Sequence, residues 1–398
     1  MKAALSFVLL TCLGATAPAQ DASVLCGIDV VARDRGKPLQ GRNLGIVTNH
    51  TGLARDGRRT IDVLRELPEV HVRAIFSPEH GLQGKLDREG IGHGTDEASG
   101  LPIWSLYGET RKPTPQMLQG IDTLVFDIQD IGCRFYTYIS TMGNCLQAAA
   151  EHNLRFVVLD RPNPIGGVEI SGPVLDAGKE SFTAWHRMPL RHGMTAGELL
   201  RMFVGERGIR CDATVIPCEG WSRTDWFPAT GLTWTDPSPN MRSVTEALLY
   251  PGIGLLETTN LSVGRGTDTP FERIGAPWCE GTRLAARLRA QGLKGVAFVP
   301  IRFTPTASKF EGKLCSGVQI AITDWATFEP VLTGIAIACS LRDLFAADWK
   351  TDKLDTLWRH QASLDAFLAG ADARAVEKTW LKDLELFRLR RKPFLLYP

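Results

Sequence analysis

Glu79 stands behind an apolar run in Ser77-Pro78-Glu79-His80-Gly81, where Pro78 stiffens the backbone and Gly81 permits a tight turn. A carboxyl fixed in this way beside apolar residues suits general acid work, with His80 orienting it or a substrate hydroxyl. The bland reading is a helix-capping or salt-bridged glutamate. Three more apolar runs end in polar clusters: Leu44 to Val47 leads to Asn49 and His50, Leu124 to Phe126 to Asp127 and Asp130, and Phe156 to Leu159 to Asp160, Arg161 and Asn163. The D-x-x-D spacing of Asp127 and Asp130 invites comparison with carboxylates that hold magnesium at a strand end, although such aspartates often cap loops instead. Arg134 has a planar fork that can neutralise these carboxylates or clamp one on a substrate, and Tyr136 and Tyr138 offer hydroxyls and apolar faces suited to a sugar ring. His192 lies just before a helix, where a histidine is structural more often than catalytic. Arg265 lies in Gly264-Arg-Gly-Thr267, which is half of a phosphate loop at most. Neither a full glycine-rich nucleotide motif nor G-x-S-x-G occurs, so nucleotide binding and α/β serine hydrolysis lack support.

Short apolar runs of this kind read as buried parallel strands, and open α/β sheets bind ligands outside the carboxyl ends of their strands. The four clusters are therefore expected to converge on one site. Helical composition over residues 58–67 and 139–152 separates strand candidates, which is the grammar of a parallel α/β sheet. Another helix over 195–207 and a strand over 213–217 extend it. Residues 219–240, rich in Trp, Gly and Pro, read as a domain seam. Beyond it, Tyr250-Pro-Gly opens a loop-rich stretch. A helix over 281–290, strands over 296–303 and 317–323 and an apolar helix over 328–345 follow. The expected architecture is α/β with a second, smaller α+β C-terminal domain, divided as 24–235 and 236–398.

The chain has 398 residues, enough for two domains, and its 45 basic and 44 acidic residues leave a net charge of +1. Without a long basic run, nucleic acid is not an expected partner. Residues 1–19 have the charged start, short apolar core and Ala17-Pro-Ala19 ending of a secretory signal, so export with cleavage after Ala19 is expected. A lipoprotein signal at Cys12 fits less well. The apolar core falls short of the roughly 20 residues a membrane span needs. Eight cysteines remain after cleavage. They are scattered without C-x-x-C, which argues against a disulfide scaffold or structural zinc; Cys211 and Cys218 are the plausible local pair, and buried thiols are the other reading.

Nine motifs in order then carry a resemblance. Thr48-Asn-His-Thr-Gly52, Ser77-Pro-Glu-His-Gly81, Ser105-Leu-Tyr-Gly108, Phe126-Asp-Ile-Gln-Asp-Ile-Gly132, Arg134-Phe-Tyr-Thr-Tyr138, Leu159-Asp-Arg-Pro-Asn-Pro164, Arg191-His-Gly-Met-Thr195, Pro237-Ser-Pro-Asn240 and Gly264-Arg-Gly-Thr267 resemble the NamZ-type exo-β-N-acetylmuramidases. The resemblance spans nearly the whole mature chain. It implies a Rossmann-like N-terminal domain, a smaller C-terminal domain, and removal of N-acetylmuramic acid from the non-reducing end of peptidoglycan fragments. Where many relatives carry a glutamate, this chain has Val263. On this reading Glu79 is the general acid/base, and Asp130 and then Asp127 are candidates for the second carboxylate. Arg134, Arg161 or Arg265 would take the lactyl carboxylate, and Asn49, His50, Tyr136, Asn163 and His192 the hydroxyls and acetamide. No cofactor or metal is required by this chemistry. A metal-dependent hydrolase using Asp127 and Asp130, and a noncatalytic glycan-binding protein, are the alternatives.

Overall fold

The computed structural model describes residues 24–398, so the expected signal sequence lies outside the described residues. The four apolar runs become β1 (Arg42–Thr48), β2 (Val70–Ser77), β5 (Thr123–Asp127) and β6 (Arg155–Leu159). The short β3 (Gly94–Thr95) and β4 (Pro102–Ser105), and β7 (Ala213–Ile216), complete one sheet in the order β3-β4-β2-β1-β5-β6-β7. All pairings are parallel except β3 with β4. Without β3, the strands follow the 3-2-1-4-5-6 order of the Rossmann fold, with the reversal of direction between β1 and β5. The expected parallel α/β architecture is present.

The strands are apolar on both faces because both faces are covered. Leu44, Ile46, Ile75, Val125 and Val157 pack on the side of α1 (Gly27–Arg33) and α2 (Thr60–Glu66). Their alternates Val47, Phe76, Phe126, Phe156 and Val158 pack on the side of α3 (Tyr138–Glu151) and α4 (Ala196–Arg207). Period-two alternation thus serves two cores at once, which is why the runs lack polar residues. Thr195 caps α4, accepting from the Glu198 backbone N–H at 3.2 Å, while Glu198 accepts in return from Thr195 N at 3.1 Å.

In the second half, β8 (Arg273–Ala276), β9 (Val296–Phe303) and β10 (Cys315–Ile322) form an antiparallel sheet in the order β8-β10-β9. Helix α6 (Gly281–Arg289) packs on β9 and β10, and α7 (Pro330–Phe345) packs on α6. The smaller α+β arrangement matches expectation. Tyr250-Pro-Gly does not open a loop: it lies inside α5 (Val244–Ile253). Gly252 and Gly334 explain this, because a Cβ on Gly252 would fall 2.0 Å from the Pro330 carbonyl oxygen, and one on Gly334 2.4 Å from that of Gly252. Backbones of α5 and α7 thus touch, and this packing outweighs the local preference of the Pro-Gly pair. One apolar cluster runs unbroken from Phe126 and Phe156 through Leu248 and Ile253 to Ile335 and Trp358. The C-terminal tail returns to the first sheet, where the Tyr397 hydroxyl donates to Asp160 Oδ2 at 2.5 Å and Leu396 N donates to Glu198 Oε1 at 2.8 Å.

Candidate functional site

Glu79 emerges from the carboxyl end of β2 into a turn in which His80 and Gly81 both take positive φ, 70° and 72°. The turn presents Glu79 to a cleft of about 680 Å³, walled by Tyr136, Thr137 and Tyr138 at the start of α3, by Ser238 and Asn240 from the seam, and by Tyr250, Glu257, Arg265 and Phe271 from the second half. The Thr137 hydroxyl donates to the Glu79 carboxylate, and the Tyr107 hydroxyl lies close enough to interact with it. Glu79 is therefore held by neutral hydroxyls. Glu257 is held differently. Arg265 Nε donates to its Oε1 at 2.5 Å, and the Tyr250 hydroxyl donates to Oε2 at 3.2 Å. Arg265 also faces Asp87 at 3.5 Å, and Asp87 accepts from the Asn240 amide at 3.0 Å. The Asp87–Asn240 contact forms the shared rim between this cleft and a groove of about 1100 Å³ lined by Arg242, Arg273, Arg302 and Thr267.

Of the residues expected in the site, Glu79, His80, Tyr136 and Arg265 line this cleft. His80 donates through Nδ1 to the Leu86 carbonyl oxygen, 2.7 Å away, which fixes the loop beyond it. Tyr136 stands edge-on to Tyr138 and Tyr250, with ring centroids 4.9 and 5.9 Å apart. These rings form an apolar wall.

The remaining expected residues are engaged elsewhere. Asp127, fully buried, accepts from Arg161 Nε at 2.5 Å and Nη2 at 3.0 Å and from the Thr60 hydroxyl. Both of its oxygens are taken, so Asp127 and Arg161 form an internal clamp across β5 and β6 and neither reaches the cleft. Arg134, also fully buried, donates to the carbonyls of Pro173, Met188, Leu357 and Trp358 at 2.8 to 3.3 Å. It ties the two halves together and holds no free fork for a substrate. Burial lowers its pKa to about 10.

Asp130 lies beneath the cleft, one oxygen accepting from Gly132 N at 2.7 Å and the other without a hydrogen-bond partner among the described residues. Burial pushes its pKa up to about 7. His192 Nε2 is 3.8 Å from it, and burial holds that imidazole at about 3, so the pair is uncharged over much of the acid range. Asn49 accepts from Thr51 N and Oγ1 at 2.9 and 2.6 Å, closing the turn after β1. Asn163 likewise shapes its own loop, donating to the Met194 carbonyl at 3.0 Å. His50 contacts the Asp236 carbonyl through Nε2 at 2.6 Å, and its ring fills the space where a Cβ on Gly84 would sit, 1.8 Å away. His50 therefore fastens the Glu79 loop to the seam.

The four strand ends do not share one site. The crevice at the reversal point between β1 and β5 is a separate pocket of about 650 Å³ lined by Thr51, Gln129, Arg161 and Trp234. The Glu79 cleft lies one strand over, at β2, where the second half supplies its opposite wall. Glu257, Asp87, Asn240 and Tyr250 were not among the expected site residues, although Asn240 closes one of the quoted motifs. Glu257 follows Leu255-Leu256, the same apolar-then-carboxylate pattern as the four clusters, so a signal existed in the stretch read as loop. Val263 is buried beside Glu257 and Arg265.

Comparison with known proteins identifies the family. Models described as exo-β-N-acetylmuramidase NamZ match residues 44–245 for the N-terminal part and 248–397 for the C-terminal part. A peptidoglycan β-N-acetylmuramidase NamZ of Bacillus subtilis (strain 168) is 42% identical over 383 residues, covering 95% of this chain and 92% of that protein. Crystal structures of two DUF1343 family proteins from Bacteroides fragilis NCTC 9343 superpose with TM-scores of 0.88 and 0.77, at 36% and 31% identity. They cover 95% and 94% of this chain, and 100% and 99% of their own. With both parts matched in order, this chain belongs to the exo-β-N-acetylmuramidase NamZ family.

Proposed function

We propose that this protein is a glycoside hydrolase that releases N-acetylmuramic acid from the non-reducing end of peptidoglycan fragments, working outside the cytoplasm after loss of residues 1–19. The observation that carries the reading is the contrast between two carboxylates in one cleft. Glu79 is surrounded by hydroxyl donors, whereas Glu257 is paired with a guanidinium. Glycosidases rely on such a division, one carboxyl donating a proton to the leaving oxygen and another group bearing negative charge towards the anomeric carbon.

Glu79 is the proton donor, on a rigid turn with Thr137 steering its carboxyl. Glu257, fixed by Arg265 and Tyr250, is the second carboxylate, in place of Asp130 and Asp127. It steadies the positive charge that grows as the glycosidic bond breaks, or the substrate acetamide that attacks in its stead. Arg265 is the one expected arginine that reaches the cleft, and the N–H groups that Glu257 and Asp87 do not take are the receptor for the lactyl carboxylate. Tyr136, Tyr250 and Phe271 supply the ring-stacking surface. The leaving saccharide passes over the Asp87–Asn240 rim into the arginine-lined groove.

A chromogenic β-N-acetylmuramide tests this. Wild type releases the chromophore and the matching N-acetylglucosaminide is a poor substrate, while Glu79→Gln lowers kcat by about 10³-fold with Tm within about 2 °C of wild type. Absence of release by wild type, or equal release by wild type and Glu79→Gln, overturns the assignment.

A further inference from the structure

Eight cysteines lie within the described residues, all as free thiols, and two of them stand face to face at the far edge of the sheet. Leu25 and Glu219 form an antiparallel bridge, exchanging both backbone hydrogen bonds, Leu25 N to Glu219 O at 3.0 Å and Glu219 N to Leu25 O at 2.9 Å. The next pair along that ladder is Cys26 with Cys218. Neither N–H serves the other strand: Cys26 N donates to Asp29 Oδ2 and Cys218 N donates to the Tyr397 hydroxyl. The two cysteines thus occupy a non-hydrogen-bonded position, where opposed Cα atoms approach to about 4.5 Å. Disulfides span Cα separations of about 4.4 to 6.8 Å. Their side chains are close enough to interact, and both residues are buried, at 1% and 6% exposure. Cys211, the nearer cysteine in sequence, is not placed to compete. It sits at the opposite end of β7, with its Sγ on the Leu154 carbonyl at 3.4 Å.

We infer that Cys26 and Cys218 are a cross-linking site that oxidises to a disulfide during folding in an oxidising compartment. Each thiol loses a proton and the pair loses two electrons as the S–S bond forms; the disulfide of an exchange partner, such as glutathione disulfide, breaks and is reduced to two thiols. The position has a structural logic. All seven strands of the large sheet, from Arg42 to Ile216, lie between the two cysteines. The bond would close that unit covalently and pin the start of the described chain to the edge strand β7. It would also hold the Arg161 clamp, since Arg161 Nη1 lies 3.8 Å from Cys26 Sγ, and the C-terminal Tyr397 that covers the pair. A loop this long loses much denatured-state entropy on closure, so the stabilisation expected is large for a single bond.

The test uses the full mature chain, refolded with and without glutathione disulfide, and leaves the glycosidase reading untouched because it does not measure hydrolysis. Thiol titration in denaturant should show two fewer thiols after oxidative refolding, and non-reducing peptide mapping should join the Cys26 and Cys218 peptides. The oxidised protein should melt roughly 5 °C or more above the reduced one, a difference lost in Cys26→Ser and kept in Cys211→Ser. Should Cys218 be found linked to Cys211, or should all the thiols still titrate in wild type, the inference is wrong. Because the mapping is done on wild type, a variant that fails to fold does not obscure the result.

Discussion

Two parts of the sheet rim carry the same kinds of residue and use them oppositely. At the ends of β5 and β6, Asp127, Arg161, Asp130 and His192 are buried, with Asp127 and Arg161 paired to each other and Asp130 accepting from the Gly132 backbone N–H. At the end of β2, Glu79 and its counterparts Glu257 and Arg265 remain open to a cleft. Chemical capability is the same in both places. The difference is cover: α1, α4 and the C-terminal tail close over β6 and β7, whereas the seam and the loop of Arg265 approach β2 without sealing it. A charged residue at a strand end therefore stays available for chemistry only where the covering layer leaves a gap.

This contrast can be broken most forcefully from the buried side. Asp127→Asn leaves Arg161 buried without its counter-charge and should cost about 3 to 5 kcal/mol of stability, read as a lowered midpoint in urea unfolding. The protein that remains folded should keep its kcat. A proportional fall in kcat would mean that Asp127 acts in the reaction. On the open side the pattern should invert: Glu257→Gln lowers kcat by about 10²-fold, roughly 2.7 kcal/mol in transition-state stabilisation, and shifts the unfolding midpoint little.

A smaller effect is expected for Arg265→Gln. Loss of one charge-assisted contact should raise KM for a β-N-acetylmuramide about 10-fold and leave that for the N-acetylglucosaminide nearly unchanged. Equal changes for both sugars would remove Arg265 from lactyl recognition. The mildest test is a pH profile of stability. Asp130, raised to about 7 by burial, holds a proton in the folded state between pH ~4 and 7 that the unfolded chain has released, so its contribution falls as pH rises through that window. His192, held near 3, works in the other direction, because the unfolded chain binds a proton below pH ~6.5 that the folded imidazole refuses. Over pH ~4 to 6.5 the two contributions offset each other, so Asp130→Asn should make Tm rise with pH by a few degrees relative to wild type between pH 5 and 6.5, and a profile identical to wild type would show that the carboxyl is ionised throughout.

Much of this molecule could be read from one dimension. Short apolar runs of three to five residues bounded by Pro, Gly and Asp placed β1, β2, β5, β6 and β7, because a strand buried on both faces leaves no room for polar side chains. The start of α4 near Thr195 was legible because the residues that begin a helix are neighbours in the chain. Glu79 was legible for the same reason, since Pro78 and Gly81 build its turn from adjacent residues. The role of Pro251 was not, because Gly252 can accept it in a helix only when Gly334, far along the chain, offers its backbone.

The sequence by itself determined the parallel sheet, the identity of its strands and the carboxylate on the β2 turn, all of which follow from neighbours in the chain. Tertiary structure decided which polar residues face the cleft. Glu257 and Arg265 reach Glu79 only because the second half folds back over β2, and Asp127 and Arg161 are withdrawn only because they meet inside. A side chain's type is a local property; the partner that consumes it, or the opening that frees it, is set by contacts between distant segments.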